Sequence, residues 1–141
     1  MAVKTGFENI LELKENLLEL ETAHLAAINI EIKETENSII TLKSKLNSLH
    51  PSVEKPLGHL EMEMLISGRN NLEYQIGRTE KKLENLRIEF LGQQQKVQSF
   101  HQELQGIKKV HDRKRKEMER VLQKKMEREV DDIFSTRSKE P

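Results

Sequence analysis

Large aliphatic residues return at every seventh position along the first third of the chain: Leu11, Leu18, Leu25, Ile32, Ile39 and Leu46. A repeat of this kind puts an apolar stripe on one side of a helix and predicts a coiled-coil seam. The companion position reads Phe7, Lys14, Glu21, Ile28, Thr35, Leu42 and Leu49, which is mostly apolar in its second half and poor in its first. There Ile10, Leu13, Leu17 and Leu20 offer apolar surface instead, so the buried stripe is expected to rotate near residue 21. Downstream the two seam positions read Met62, Arg69, Ile76, Leu83, Phe90, Val97, Leu104 and Leu65, Leu72, Thr79, Leu86, Gln93, Phe100, Ile107. Only Arg69, Thr79 and Gln93 are polar, and the stretch Ser67 to Asn71 with Gly68 is the weak point of this second helix.

The internal prolines, Pro51 and Pro56, interrupt the pattern between the two seams. Proline removes a backbone donor and clashes with the preceding turn, so the chain divides into a helix over about 5–49, a turn over 50–57 and a helix over about 58–136, with a disordered end at 137–141. The fold class is therefore all-α, a single domain of two long helices folded into an antiparallel coiled-coil hairpin. A tight turn would pair residues whose numbers sum to about 107, setting Phe7 near Phe100 and Leu49 near Gly58. The second seam stops at Leu104 to Ile107, where the first helix runs out of chain, which favours an intramolecular hairpin over a parallel dimer. On this reading the chain is monomeric when alone.

Beyond the seam, His111 to Glu117 holds no apolar residue and is expected to be solvated, with support from pairs such as Asp112–Lys116, Arg113–Glu117 and Lys125–Glu129. Met118, Leu122, Met126, Val130 and Ile133 then form a thin apolar stripe with nothing left in the chain to cover it. A partner is the natural place for that stripe. The second helix would measure about 120 Å, and its last 30 residues or so, about 45 Å, would project past the hairpin.

Composition sharpens this picture. Of 141 residues, 34% are charged and 35% hydrophobic, too few apolar side chains for an ordinary layered core. Basic and acidic residues balance at 24 each, but unevenly along the chain. Residues 1–106 carry 12 basic and 16 acidic side chains, and residues 107–141 carry 12 and 8. With no cysteine, disulfides, thiolate nucleophiles and Cys-based zinc sites are excluded. No stretch nears the roughly 18 apolar residues of a membrane span and no apolar leader opens the chain, so a cytosolic protein without membrane insertion is expected.

The search for chemistry returns little. His24, His50, His59, His101 and His111 include no i,i+4 pair; His50 and His59 flank the turn within reach of a shared metal, but two loop histidines are the plainer reading. The glycines are scattered and form no phosphate-binding loop. No catalytic residue, metal or cofactor is expected, and the chain is read as a non-enzyme. The basic run Lys108 to Lys116 is flanked by acidic residues in a chain of zero net charge, which argues against nucleic acid and leaves a solvated face or a dock for an acidic protein. A second surface near the turn gathers Ile30, Ile40, Met64, Ile66 and Tyr74, apolar residues that fall off the seam; a broader core and a self-association face are the other readings of it.

The opening Phe7-Glu8-Asn9-Ile10-Leu11-Glu12-Leu13-Lys14-Glu15 resembles the Phe-x-x-x-Leu-x-Leu-Arg-Glu start of the FliJ family, the stalk proteins of the bacterial flagellar type III export ATPase. The basic helix from Lys108 leading into Glu127-Arg128-Glu129-Val130-Asp131-Asp132-Ile133-Phe134-Ser135-Thr136-Arg137 is similar to that family's Glu-x-x-x-Asp-Glu-Ile-x-x-x-Arg ending. Lys14 stands where Arg is common and Asp132 where Glu is common, and both keep the charge.

The resemblance implies a non-catalytic two-helix stalk that engages the pore of a hexameric export ATPase and connects it to the membrane-embedded export gate, with a further contact to export chaperones. It implies a place in the bacterial cytoplasm, peripherally at the inner membrane at the flagellar base. Phe7, Ile10, Arg113, Arg115, Met118, Leu122, Met126, Val130 and Ile133 would meet the ATPase, and Ile30, Ile40, Met64, Ile66 and Tyr74 the gate. The related stalk of virulence-type secretion systems, and a generic coiled-coil spacer or homodimer, are the alternatives.

Overall fold

A computed structural model describes residues 6–50 and 58–139. It holds two helices, α1 over Glu8–Ser48 and α2 over His59–Lys139, packed antiparallel, with no strand among the described residues. The all-α hairpin expected from the seams is the observed fold. The start of α1 is set by Gly6, whose positive φ of 88° turns the chain and whose N–H donates to the Glu8 carboxylate at 3.0 Å. The Phe7 carbonyl then accepts from Leu11 at 2.9 Å, and Glu8 places a negative charge in the first turn. At the far end the Leu49 N–H donates to the Leu46 carbonyl at 3.2 Å, tightening the last turn. Gly58 caps α2, its carbonyl accepting from Met62 at 2.9 Å. Helix α2 continues past residue 136, where the sequence pattern ended it, to Lys139. Residues 51–57 of the expected turn, and 140–141 of the expected disordered end, lie outside the described residues.

The chain forms two compact units, one of Glu21–Val97 and one of Met1–Leu20 with Gln98–Pro141. In the first, Ile28, Ile32 and Ile39 of α1 meet Leu83 and Leu86 of α2, with Phe90 packed against them. Thr35 is buried in the same row and satisfies its hydroxyl by donating to the Glu31 carbonyl at 2.7 Å. Ion pairs flank the seam on both sides. Lys43–Glu80 at 3.3 Å and Arg87–Glu36 at 3.2 Å join residues whose numbers sum to 123; Lys82–Glu31 at 3.8 Å and His24–Glu89 at 3.9 Å join residues whose numbers sum to 113.

These sums fix the register and correct the expected value of about 107. Leu49 lies beside Gly68, where a Cβ would stand 3.8 Å from the leucine Cδ1, and so does not face Gly58. The first turns of α2, His59 to Ser67, therefore run beyond the end of α1, because seam packing and flanking charges choose the register in place of a symmetric tight turn. A slip of one heptad shows why. One direction sets Glu36 opposite Glu80, and the other sets Lys43 opposite Arg87, like charges in both cases.

The second unit has a thinner seam. Leu104 is its one buried residue among those described, with Phe7, Leu11, Leu18, Phe100, Ile107 and His111 half-buried. Lys14 occupies a seam position and extends its ammonium to Glu103 at 2.7 Å, while Lys108 meets Glu15 at 3.7 Å. The stripe on α1 does not rotate near residue 21. Of the four residues expected to carry it, Ile10, Leu13 and Leu20 are exposed and Leu17 alone is half-buried, while Phe7, Lys14, Glu21 and Ile28 stay in one heptad frame. Lys14 and Glu21 are tolerated there because each finds a partner on α2. Cover also reaches further along α2 than Ile107: His111 is half-buried, and the Lys114 ammonium sits 5.2 Å from the centre of the Phe7 ring.

Candidate partner-binding surfaces

Glu21 is the most elaborately held seam residue. The Gln93 amide donates to its backbone carbonyl at 3.0 Å and to its carboxylate, and Lys96 approaches the carboxylate at 3.1 Å. The Gln93 hydrogen bond first and the Lys96 hydrogen bond second hold the Glu21 carboxyl below the usual carboxylate range. The pattern is that of a structural polar layer, since both α2 partners converge on one residue of α1. Among the described residues no group of histidine and carboxylate side chains is placed to hold a metal. His59 pairs with Glu63 at 3.1 Å on its own helix, which gives the histidine a surface role beside the turn.

The longest exposed stretch lies on the last third of α2. Every residue from Asp112 to Thr136 is exposed, including Arg113, Arg115, Met118, Leu122, Met126, Val130 and Ile133. His111, just before this run, is half-buried, and the exposed Lys114 carries its ammonium over the Phe7 ring, so the segment departs at these two residues from the full solvation expected. The ion pair formed in this segment joins Arg115 to Asp112 at 3.9 Å, one residue from the Asp112–Lys116 spacing expected. Two apolar residues escaped the sequence reading. Val121 lines a shallow groove with Met118 and Leu122, bordered by Glu117 and Lys125, and Phe134 is 66% exposed. Both were legible as spacings: Val121 continues the heptad beyond Lys114, and Phe134 lies four residues past Val130. Of the two residues expected to join this surface from α1, Ile10 is exposed and Phe7 is half-buried beneath Lys114.

The other apolar residues off the seam are all exposed, but they do not form one patch beside the turn. Ile30 and Ile40 stand about 15 Å apart on α1, and Tyr74 lies near the level of Ile40 on α2 by the observed register. Met64 borders a groove on α2 with Leu60, Ser67 and Asn71, and Ile66 lies outside that groove. Exposed Leu60, Tyr74 and Ile88 share one heptad position, fourteen residues apart, so apolar side chains run along the outer side of α2 in this unit. Sequence reasoning passed over Leu60 and Ile88, which only the fourteen-residue spacing through Tyr74 would have joined to the others. No described helix is long and apolar enough to cross a membrane.

Two long helices packed along a continuous seam, with an exposed amphipathic end on the second, define a coiled-coil hairpin. A profile of the FliJ family, described as the flagellar FliJ protein, matches residues 4–139, nearly the whole chain, and the protein belongs to that family. It is a component of the flagellar protein export apparatus, and the family is non-catalytic. Comparison with curated proteins and with solved structures gave no match.

Proposed function

We propose that this chain is the stalk that couples the hexameric ATPase of the flagellar export apparatus to the membrane-embedded export gate, at the cytoplasmic face of the bacterial inner membrane. The observation that carries this reading is the uncovered run Asp112–Thr136 in a chain of this family. A helix with Met118, Leu122, Met126, Val130 and Ile133 exposed, and Arg113 and Arg115 beside them, is suited to insertion into a ring, where its apolar stripe is covered on all sides. Ile10 and Phe7 border that surface from α1. The gate is met by the apolar residues of the Glu21–Val97 unit, Ile30, Ile40, Met64, Ile66 and Tyr74, and export chaperones use the same exposed helical surfaces.

Truncation after Lys116 removes the stripe and keeps Lys114 over Phe7. Capture by the ATPase ring should be lost while circular dichroism still reports a folded hairpin; undiminished capture would overturn the tail's role. Ile66→Asp with Tyr74→Asp should weaken capture of the gate's cytoplasmic part and leave ATPase capture intact.

A further inference from the structure

Arg115, Met118, Leu122, Met126, Glu129 and Ile133 succeed one another at intervals of 3, 4, 4, 3 and 4 residues. At about 100° per residue, all six project within about 40° of the direction of Leu122, so they form one stripe. Each is exposed. The order of residues is also self-complementary about Leu122. Met118 and Met126 lie four residues to either side, and Arg115 and Glu129 seven residues to either side, with opposite charge.

We propose that two copies of this chain associate through antiparallel pairing of these tails, with Leu122 on the two-fold axis. Leu122 then meets its own copy, Met118 of each chain meets Met126 of the other, and Arg115 of each meets Glu129 of the other. One contact therefore occurs twice, as an isologous interface requires.

Three observations favour a second copy over another occupant. Residues 113–116 are all basic, whereas 127–132 hold four acidic residues against Arg128, so a partner of one sign would satisfy one end and repel the other. An antiparallel copy satisfies both. Glu129 has no ion-pair partner among the described residues, and Arg115 has only the 3.9 Å approach of Asp112, so both charges are available. The pairing also continues an existing interface. Helix α1 runs antiparallel along α2 until Phe7 beside Lys114, and the second tail takes the same antiparallel course from there, bringing its Ile133 to the end of α1. The proposal thus departs from the expectation of a solitary chain at the tail, and leaves the hairpin seam filled from within. The inference does not depend on the stalk reading, although a ring that grips Met118 and Leu122 would compete with the pairing.

Sedimentation equilibrium of the full chain tests it, over a range of about 1–100 µM. A dimer is expected, weakened at least about tenfold by Arg115→Glu or Glu129→Arg alone and restored when both reversals are combined. Circular dichroism confirms that each variant remains helical. Because the chain has no cysteine, mixing Met118→Cys with Met126→Cys should give mostly the mixed disulfide, whereas a parallel pair gives the two like-with-like products. A chain that stays monomeric over the whole range, a dimer indifferent to both reversals, or a predominance of like-with-like disulfides would overturn the proposal.

Discussion

Residues 59–97 and 112–136 of α2 are written in nearly the same helix-forming alphabet and differ in what recurs every seven residues. In the first stretch Ile76, Leu83, Phe90 and Val97 keep the heptad, and α1 covers them. In the second the heptad lapses after Val121 into Lys125, Arg128 and Asp132, while Met118, Leu122 and Met126 advance by fours onto an uncovered face. Both remain helical. The difference teaches that helix continuity here is a property of residue choice, whereas cover needs the opposing helix: α1 reaches along α2 as far as Phe7 beside Lys114, and the apolar stripe that leaves the heptad lies past that level. The uncovered stretch is consequently where the proposed contacts of this protein find their surface.

The sharpest way to break that comparison is to delete apolar volume in each stretch. Ile28→Ala removes a buried side chain of the main core and should cost about 3 kcal/mol of stability. Leu122→Ala in the exposed tail should change stability by less than about 0.5 kcal/mol when the chain is diluted below the range in which the tails pair. Urea denaturation followed by circular dichroism reads both, and equal losses would show that the tail is covered in the free chain.

Register comes next. Glu36→Lys sets like charges across the seam from Arg87 and should lower stability by about 1 kcal/mol, with recovery in the double variant Glu36→Lys, Arg87→Glu. A loss that the second change fails to relieve would mean the flanking charges do not choose the register.

The smallest effect concerns Glu21. Its folded carboxyl titrates below the ordinary range, so its contribution is present above the unfolded-state pKa and is lost as pH falls through the folded one. Glu21→Gln should flatten that part of the acid limb of the stability profile, and so should Gln93→Leu, whose amide supplies the largest share of the shift. An unchanged acid limb in both variants would remove Glu21 from the account.

Much of this was legible from spacing. Leu11 to Leu46 in sevens, the prolines at 51 and 56, and the uncovered stripe from Met118 to Ile133 announced two helices, their break and the free end. The register was less accessible, because assuming a tight turn replaced the information carried by Glu36, Lys43, Glu80 and Arg87, which only a trial of each alignment would have used. Lys14 and Glu21 were misjudged for a related reason. A lone charge in a seam looks like a break in the stripe until Glu103, Gln93 and Lys96 are found beside it.

What the sequence by itself determined is therefore everything local: helix, interruption, heptad, and the position where the apolar residues leave the heptad. These follow from intervals within one helix and need no partner. The tertiary structure alone decided which residue faces which. Setting Leu49 against Gly68, Phe7 beneath Lys114 and Glu21 between Gln93 and Lys96 depends on how two helices slide along each other. Sliding by a heptad leaves every hydrophobic interval unchanged, so the choice passed to the charges across the seam, whose energies exist only once the helices are paired.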